Sequence, residues 1–323
     1  MSVNGVQRRV VAAAVLVGLW CGVAAVRAAD YPTRPVRLIV PAPPGGTTDL
    51  LGRVVGTQLA ARLGQPFVID NRGGAGGIVG TDLLTKSPPD GHTLAIVYTP
   101  HTVLPHLQKV PYDALADVAP ITLITTAPLL LVVPPALPVR SVKDLVALAR
   151  TQPLVYGSAG NGSGGHLSGE LLKQITGMNA THVPYKGAGP AATDLVAGQL
   201  QFQFASQITT QGFIKAGRLR VIAVTSPQRA AAYPDVPTVA ETLPGYTVVN
   251  WFGLVGPARL PRPLVERLHA ETAQVLHVPD VRAKLTAEGS DVVADAPAAF
   301  AAFLHRDYEL WRTVIRKAGW KVE

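Results

Sequence analysis

Apolar positions recur along the chain in short runs closed by glycine- and proline-rich stops, and most runs are followed by a stretch with helical spacing. The first such unit, residues 36–63, sets the pattern. Val36, Leu38, Ile39 and Val40 predict one buried strand, since the run is too short for a helix. Pro41, Pro43, Pro44, Gly45 and Gly46 stop it. Thr47 and Thr48 are N-cap residue types, and Asp49 suits the positive first turn of a helix. Leu50, Leu51, Val54, Val55, Leu59 and Leu63 then recur at helical spacing, and Gly64 marks the stop. A strand that passes through a glycine turn into a helix presents unpaired backbone N–H groups. With the helix dipole behind them, these can hold an anion without a cationic side chain. Taken alone, the stretch is better explained as an ordinary βα connection.

The pattern continues with a strand at 67–69, a second glycine loop at 71–77, a helix through Ile78, Val79, Leu83 and Leu84, and a strand at 93–98. This alternation implies a mostly parallel sheet with helices on both faces. Ligands of such sheets sit beyond the carboxyl ends of the strands, which puts both glycine loops and the loop carrying His101 on one edge. Strands at 121–124 and 129–133 flank Thr125-Thr126-Ala127-Pro128, which reads as a crossing into a second domain. There, residues 154–177 repeat the opening design: a short strand, a glycine- and hydroxyl-rich turn, a helix with Leu167, Leu171, Leu172 and Ile175, and a stop at Gly177. Two helix starts of this type, in segments that read as separate domains, predict a pair facing one cleft. Tyr185-Lys186-Gly187 leads into a helix with Pro190 in its first turn, and a strand follows at 202–204. Thr225-Ser226, after a strand at 219–224, reads as the return crossing. Helices are expected over 263–276, 279–288 and 297–318. The last carries Phe300, Phe303, Leu304, Tyr308, Trp311 and Ile315 on one face, a core stripe.

Composition narrows the class. Of 323 residues 48% are hydrophobic and only 15% charged, a compact globular balance with room for two domains or one large α/β domain. Arg8 and Arg9, then an apolar run to Val26 and the small residues of Val26-Arg27-Ala28, predict an export leader over 1–28 with cleavage near Ala28/Ala29. Its removal takes three of the 29 basic residues and lowers the formal charge from +8 to about +5. The remaining Lys and Arg are scattered, with no nucleic-acid signature. Cys21, the single cysteine, leaves with the leader, which excludes disulfides, zinc thiolates and iron–sulfur clusters. A cysteine-free exported body suits a bacterial periplasm.

Several chemistries fail on spacing. After Gly74 and Gly76 the third position of a dinucleotide fingerprint is Val79, neither glycine loop has a Walker lysine, and no His-Glu-x-x-His helix exists. Ser158 and Ser163 lack the flanking glycines of a nucleophile elbow. His166, at a helix start, reads as a loop clamp, His182 as a core histidine, and Asp49 and Asp194 as loop organisers. No catalytic residue, metal site or cofactor is expected.

The chain resembles the extracytoplasmic solute receptors of tripartite tricarboxylate transporters, the Bug family. The resemblance rests on Tyr31-Pro32-Thr33-Arg34-Pro35-Val36, Pro43-Pro44-Gly45-Gly46 with Asp49, Asn71-Arg72 with Gly74-Ala75-Gly76-Gly77, and Pro88-Pro89-Asp90-Gly91. It continues through Gly157-Ser158-Ala159-Gly160-Asn161-Gly162 with His166, His182-Val183-Pro184-Tyr185-Lys186-Gly187, Asp194-Leu195, Pro234-Asp235-Val236-Pro237-Thr238 and Trp251-Phe252-Gly253-Leu254. These segments cover essentially the whole chain after the leader. The resemblance implies an α/β, two-domain periplasmic binding protein of the type II, Venus-flytrap kind, with parallel-rich sheets flanked by helices. The expected lobes are 29–125 plus 228–323, and 126–227.

The resemblance also implies that Gly45, Gly46, Thr47, Thr48 and Asp49, with Ser158, Ala159, Gly160, Asn161, Gly162 and Ser163, hold a small carboxylate, often through ordered waters. His101, His166 and Ser206 complete the expected binding set. Two departures stand out: Ala205-Ser206 replaces an Asp that family members commonly carry after the 202–204 strand, and no Asn stands near Val103-Leu104. The expected partners are a small organic carboxylate and integral membrane transporter subunits, with the chain itself monomeric. A ligand-presenting sensor subunit, or a periplasmic enzyme using His166 or Asp49, are the alternatives.

Overall fold

Residues 31–320, apart from 231 and 288, are described by the structure, a computed structural model. The leader expected over 1–28 lies outside the described residues. Strand and helix alternate first as β1 (Val36–Val40), α1 (Thr47–Leu63), β2 (Phe67–Asn71), α2 (Ile78–Thr85), β3 (Thr93–Tyr98), α3 (Pro100–Leu107) and β4 (Val118–Pro128). The middle of the chain gives β5 (Leu130–Val133), α4 (Val142–Leu148), β6 (Leu154–Ser158), α5 (Gly164–Thr176), β7 (Ala180–Pro184), α6 (Ala188–Val196), β8 (Phe202–Ala205), α7 (Gln207–Lys215) and β9 (Arg220–Val224). The last part adds α8 (Val239–Thr242), β10 (Val249–Pro257), α9 (Arg262–His277), α10 (Pro279–Ala287), β11 (Asp291–Asp295) and α11 (Pro297–Ala318).

Two sheets result, one ordered β11-β4-β10-β3-β1-β2 and the other β7-β6-β8-β5-β9. Each is mixed. β1 pairs in parallel with β2 and β3, and β6 with β7 and β8, while β10 and β5 run antiparallel to both of their neighbours. The antiparallel strands follow from the crossings, because a chain leaving one sheet enters the next against its direction. β1 is buried except at Arg37, whose guanidinium pairs with Asp70 on β2. Helix α1 lies close over it because Gly52 and Gly56, four apart, face the sheet. A Cβ on Gly52 would stand 2.6 Å from Val40 Cγ2, and one on Gly56 3.0 Å from Ile69 Cδ1.

The outward crossing is short. Leu129 joins β4 to β5, with its N–H donating to Thr225 Oγ1 (2.8 Å) and its carbonyl accepting from the Thr225 N–H (3.0 Å). The return differs from the expected boundary at 228. Val224 bridges Thr238, the Tyr246 hydroxyl donates to the Ser168 carbonyl at 2.9 Å, and Tyr246 and Val248 are buried with Phe204. The segment between β9 and β10 therefore stays against the second sheet, and the chain comes back at Val249. Helix α11 reaches both sheets along its stripe: Phe300 and Leu304 pack with Trp251, while Trp311 and Ile315 join Tyr156 and Phe202.

Candidate functional site

A cavity of about 410 Å³ opens where four helices begin, α1 from the first sheet and α5, α6 and α7 from the second. Its lining includes Gly45 to Thr48, Ser163 to Gly165, Gly187 to Pro190, and Ser206 with Ile208 and Thr209. Each start is shaped locally. Gly45 takes φ +89°, a conformation suited to glycine, and its N–H donates to Asp49 Oδ2 at 3.0 Å. Asp49 also accepts from Asn71 Nδ2 (3.0 Å) and Arg53 Nε (3.0 Å). Burial opposes ionisation of this carboxyl, but those hydrogen bonds prevail and hold it below its usual range. Ser163 caps α5 by accepting from the His166 N–H (3.4 Å). Gly165 lets α5 touch β8, since a Cβ there would lie 2.6 Å from the Phe204 carbonyl oxygen. Ser206 stands at the N-cap position of α7 without a side-chain capping bond, lies 2.9 Å from Thr209 Oγ1, and reaches across to within 3.5 Å of Thr47 Oγ1 on α1.

The walls between these starts are apolar. Tyr98 and Phe252 stack with ring centroids 6.3 Å apart, and Phe204, Leu129 and Ile208 continue the surface. Asn250, which accepts from Thr99 Oγ1 at 3.3 Å, and Lys186 add polar groups. The first N–H groups of four helices supply donors, and their dipoles a positive potential, with no carboxylate in the lining. This arrangement suits an anion whose remainder is apolar.

Of the expected set, Gly45, Gly46, Thr47, Thr48, Ala159, Ser163 and Ser206 line the cavity. Asp49 does not; it organises the first loop. His101 also stays away, because Thr99 and Pro100 start α3 and swing the imidazole inward. Its Nε2 lies 2.7 Å from the Ala114 carbonyl and its ring stacks on Tyr112, where burial lowers its pKa to about 4. Asn161 and Gly162 turn toward the first sheet's helices, Gly162 packing on Leu104 and the Asn161 carbonyl on Gly76, while the Gly160 N–H donates to Ser158 Oγ at 3.0 Å. His166 is a loop clamp, its Nδ1 accepting the Gly162 N–H at 3.1 Å and its ring stacked on His182 at 4.2 Å. Burial pushes His166 to about 4. Burial, then the neighbouring His166, takes His182 to about 3.

Ser158 Oγ lies 2.7 Å from His182 Nε2, a pairing from which a nucleophile can be built. Ser158 is fully buried, however, and its hydroxyl also engages both the N–H and the carbonyl of Gly160, so a substrate has no approach. Of the α7 start the sequence reading names Ser206; it does not name the α6 start, Tyr98, Asn250 or Phe252 as site elements. The Lys186-Gly187 turn was visible as a motif but had been assigned no place in the cleft.

The model of the family described as tripartite tricarboxylate transporter family receptor (TctC) matches residues 51–320. The chain belongs to this family. It is 38% identical over 314 residues to the "UPF0065 protein in tcbD-tcbE intergenic region" of a Pseudomonas species, covering 96% of this chain and 94% of that one. Among solved structures it is similar to Rhodopseudomonas palustris Rpa4515 with adipate, at 36% identity and a TM-score of 0.85, covering 90% and 99% of the two chains. It is also similar to MatC of Rhodopseudomonas palustris with bound malate, at 32% identity and a TM-score of 0.82, covering 88% and 100%. The two-sheet architecture of this receptor is thus that of periplasmic binding proteins, and the family's members serve transport.

Proposed function

We propose that this protein is an exported receptor that encloses a small organic carboxylate between the two sheets and delivers it to an integral membrane transporter. The observation that carries the reading is the meeting of four helix N-termini, from both sheets, on one cavity with no carboxylate in its lining. Relatives with the same architecture hold adipate and malate, which supports an aliphatic carboxylate here. The carboxylate sits against the helix starts at 46–48 and 163–165, and the carbon frame lies on Tyr98, Phe252 and Phe204.

The same reading makes the protein a binder and not an enzyme, monomeric, and in its mature form cleaved of a leader that ends near Ala28. Thermal-shift screening of a carboxylate library, followed by calorimetry on the hits, tests the binding. At least one aliphatic or aromatic acid is expected to raise the melting temperature and to be recovered unchanged. Failure of every acid, or turnover of one, overturns the reading. Mass analysis of the periplasmic form tests the leader, with a mature start near Ala29 expected.

A further inference from the structure

Asn250 is the polar side chain that β10 brings to the cavity lining, one residue after the chain returns at Val249. A relay fixes how its carboxamide is turned. The Trp251 N–H donates to Thr99 Oγ1 (3.3 Å), and the Thr99 hydroxyl donates its own proton to Asn250 Oδ1 (3.3 Å). Thr99 itself is buried, between the end of β3 and the start of α3. With Oδ1 engaged, the carboxamide still has Nδ2 to offer, and Nδ2 has no hydrogen-bond partner among the described residues.

The carboxamide lies against the start of α5. A Cβ on Gly164 would stand 2.8 Å from Asn250 Cγ, so glycine is what lets the two halves approach here. At that start the His166 N–H is taken by Ser163 Oγ and the Leu167 N–H by the Ser163 carbonyl. The N–H groups of Gly164 and Gly165 are the donors left open, and both residues line the cavity. They belong to the second sheet's half, whereas Nδ2 belongs to the first. One carboxylate, with about four acceptor sites on its two oxygens, has room for all three donors.

We propose that Asn250 is a ligand-binding residue whose Nδ2 donates to the carboxylate held by the α5 start, with Thr99 the residue that positions it. The inference rests on the carboxylate reading above. A carboxylate held in this way ties α5 to the return strand beside the crossing. Calorimetry with succinate, adipate and benzoate tests it, each variant being read with the acid that the wild type binds best. Asn250→Asp keeps the shape and the oxygen that accepts from Thr99 but puts an anionic oxygen where the donor was. Binding in it is expected to weaken at least about a hundredfold, and in Asn250→Leu, which removes the donor without adding charge, at least about tenfold. Thr99→Val weakens binding about threefold or more, Thr99→Ser restores it, and Thr99→Val costs nothing further in the Asn250→Leu background. A threonine that served only the packing of α3 would cost the same in both backgrounds. Wild-type affinity in either Asn250 variant, or equal losses from Thr99→Val in the two backgrounds, overturns this inference and leaves the carboxylate reading standing. Binding of none of the three acids by the wild type overturns the carboxylate reading, and this inference with it.

Discussion

Ser206 brings a hydroxyl and not a carboxylate to the cavity lining, and that bears on which charges the cavity can accept. With Lys186 the only charged side chain of the described lining, a ligand ammonium would meet hydroxyls and a second cation. An unpaired ammonium taken from water is strongly unfavourable. Calorimetry is therefore expected to find aspartate and glutamate at least about tenfold weaker than succinate and glutarate, with Ser206→Asp narrowing the gap. Amino acids binding more tightly than every acid without an amino group would contradict this. One buried imidazole, His101, and two half-buried ones, His166 and His182, give a second expectation. His101, His166 and His182 are held neutral, with pKa values lowered to about 4, 4 and 3, whereas the unfolded chain protonates them near 6.5. Between those values the unfolded state binds more protons, so stability is full above about 6.5 and falls as pH drops toward 4. Asp307, whose buried carboxyl is raised despite hydrogen bonds from Thr102, Trp251 and Trp311, acts in the opposite sense but is one group against three. Melts from pH 7.5 to 4.5 are expected to show a declining melting temperature. The His101→Gln variant should show a smaller decline, and an unchanged slope in it would remove His101 from the account.

Four helix starts line the cavity, and the glycines beside them differ in their surroundings. Gly46 has ordinary backbone angles (φ −94°), and a Cβ there meets nothing within 4 Å. Gly162 has φ +74°, and its Cβ would lie 2.6 Å from Leu104 Cδ2. Gly46→Val is thus expected to crowd the cavity, weakening ligand about tenfold or more (1.4 kcal/mol) while the melting temperature holds. Gly162→Val combines backbone strain with overpacking and should lower stability by about 2 kcal/mol or more. Equal effects of the two variants on the melting temperature would contradict the distinction. The α1 and α5 starts were legible in the sequence because an apolar run, a glycine stop and helical spacing are all local signals. The α6 start was not, since only the order of the second sheet brings Gly187 beside Ser163, and Ser206 at the α7 start entered through the family resemblance rather than a local signal. His101 was misplaced because strand order fixes the edge a loop occupies, while the direction of its side chain depends on α3 beginning at Pro100. The antiparallel β10 escaped notice too: its near-continuous apolar run carries no mark of direction.

For the whole molecule, the arrangement of connections governs how the ligand enters. The two sheets are joined by the chain at Leu129, by the return at Val249, and by α11, whose stripe packs on both. Between the halves Gly162 packs on Leu104, and two further contacts are polar: Ser206 lies 3.5 Å from Thr47, and Gln207 Nε2 donates to the Ala287 carbonyl at 2.8 Å. Such polar contacts are each worth about 1 kcal/mol net, and they can part while the paired backbone of Leu129 and Thr225 stays intact. We infer that the two halves rotate about the Leu129–Thr225 junction and the start of β10, and that ligand selects the closed arrangement. Ligand at about 100 times its dissociation constant should then add roughly 2.7 kcal/mol of stability, since the unfolded chain has no site. Scattering curves taken with and without saturating ligand test the motion separately from the affinity. A smaller radius of gyration is expected with ligand bound, and Gln207→Ala should weaken binding without touching the cavity wall, because it removes a contact made only when the halves meet. A curve that stays the same at saturation would mean that ligand enters a cleft of fixed shape.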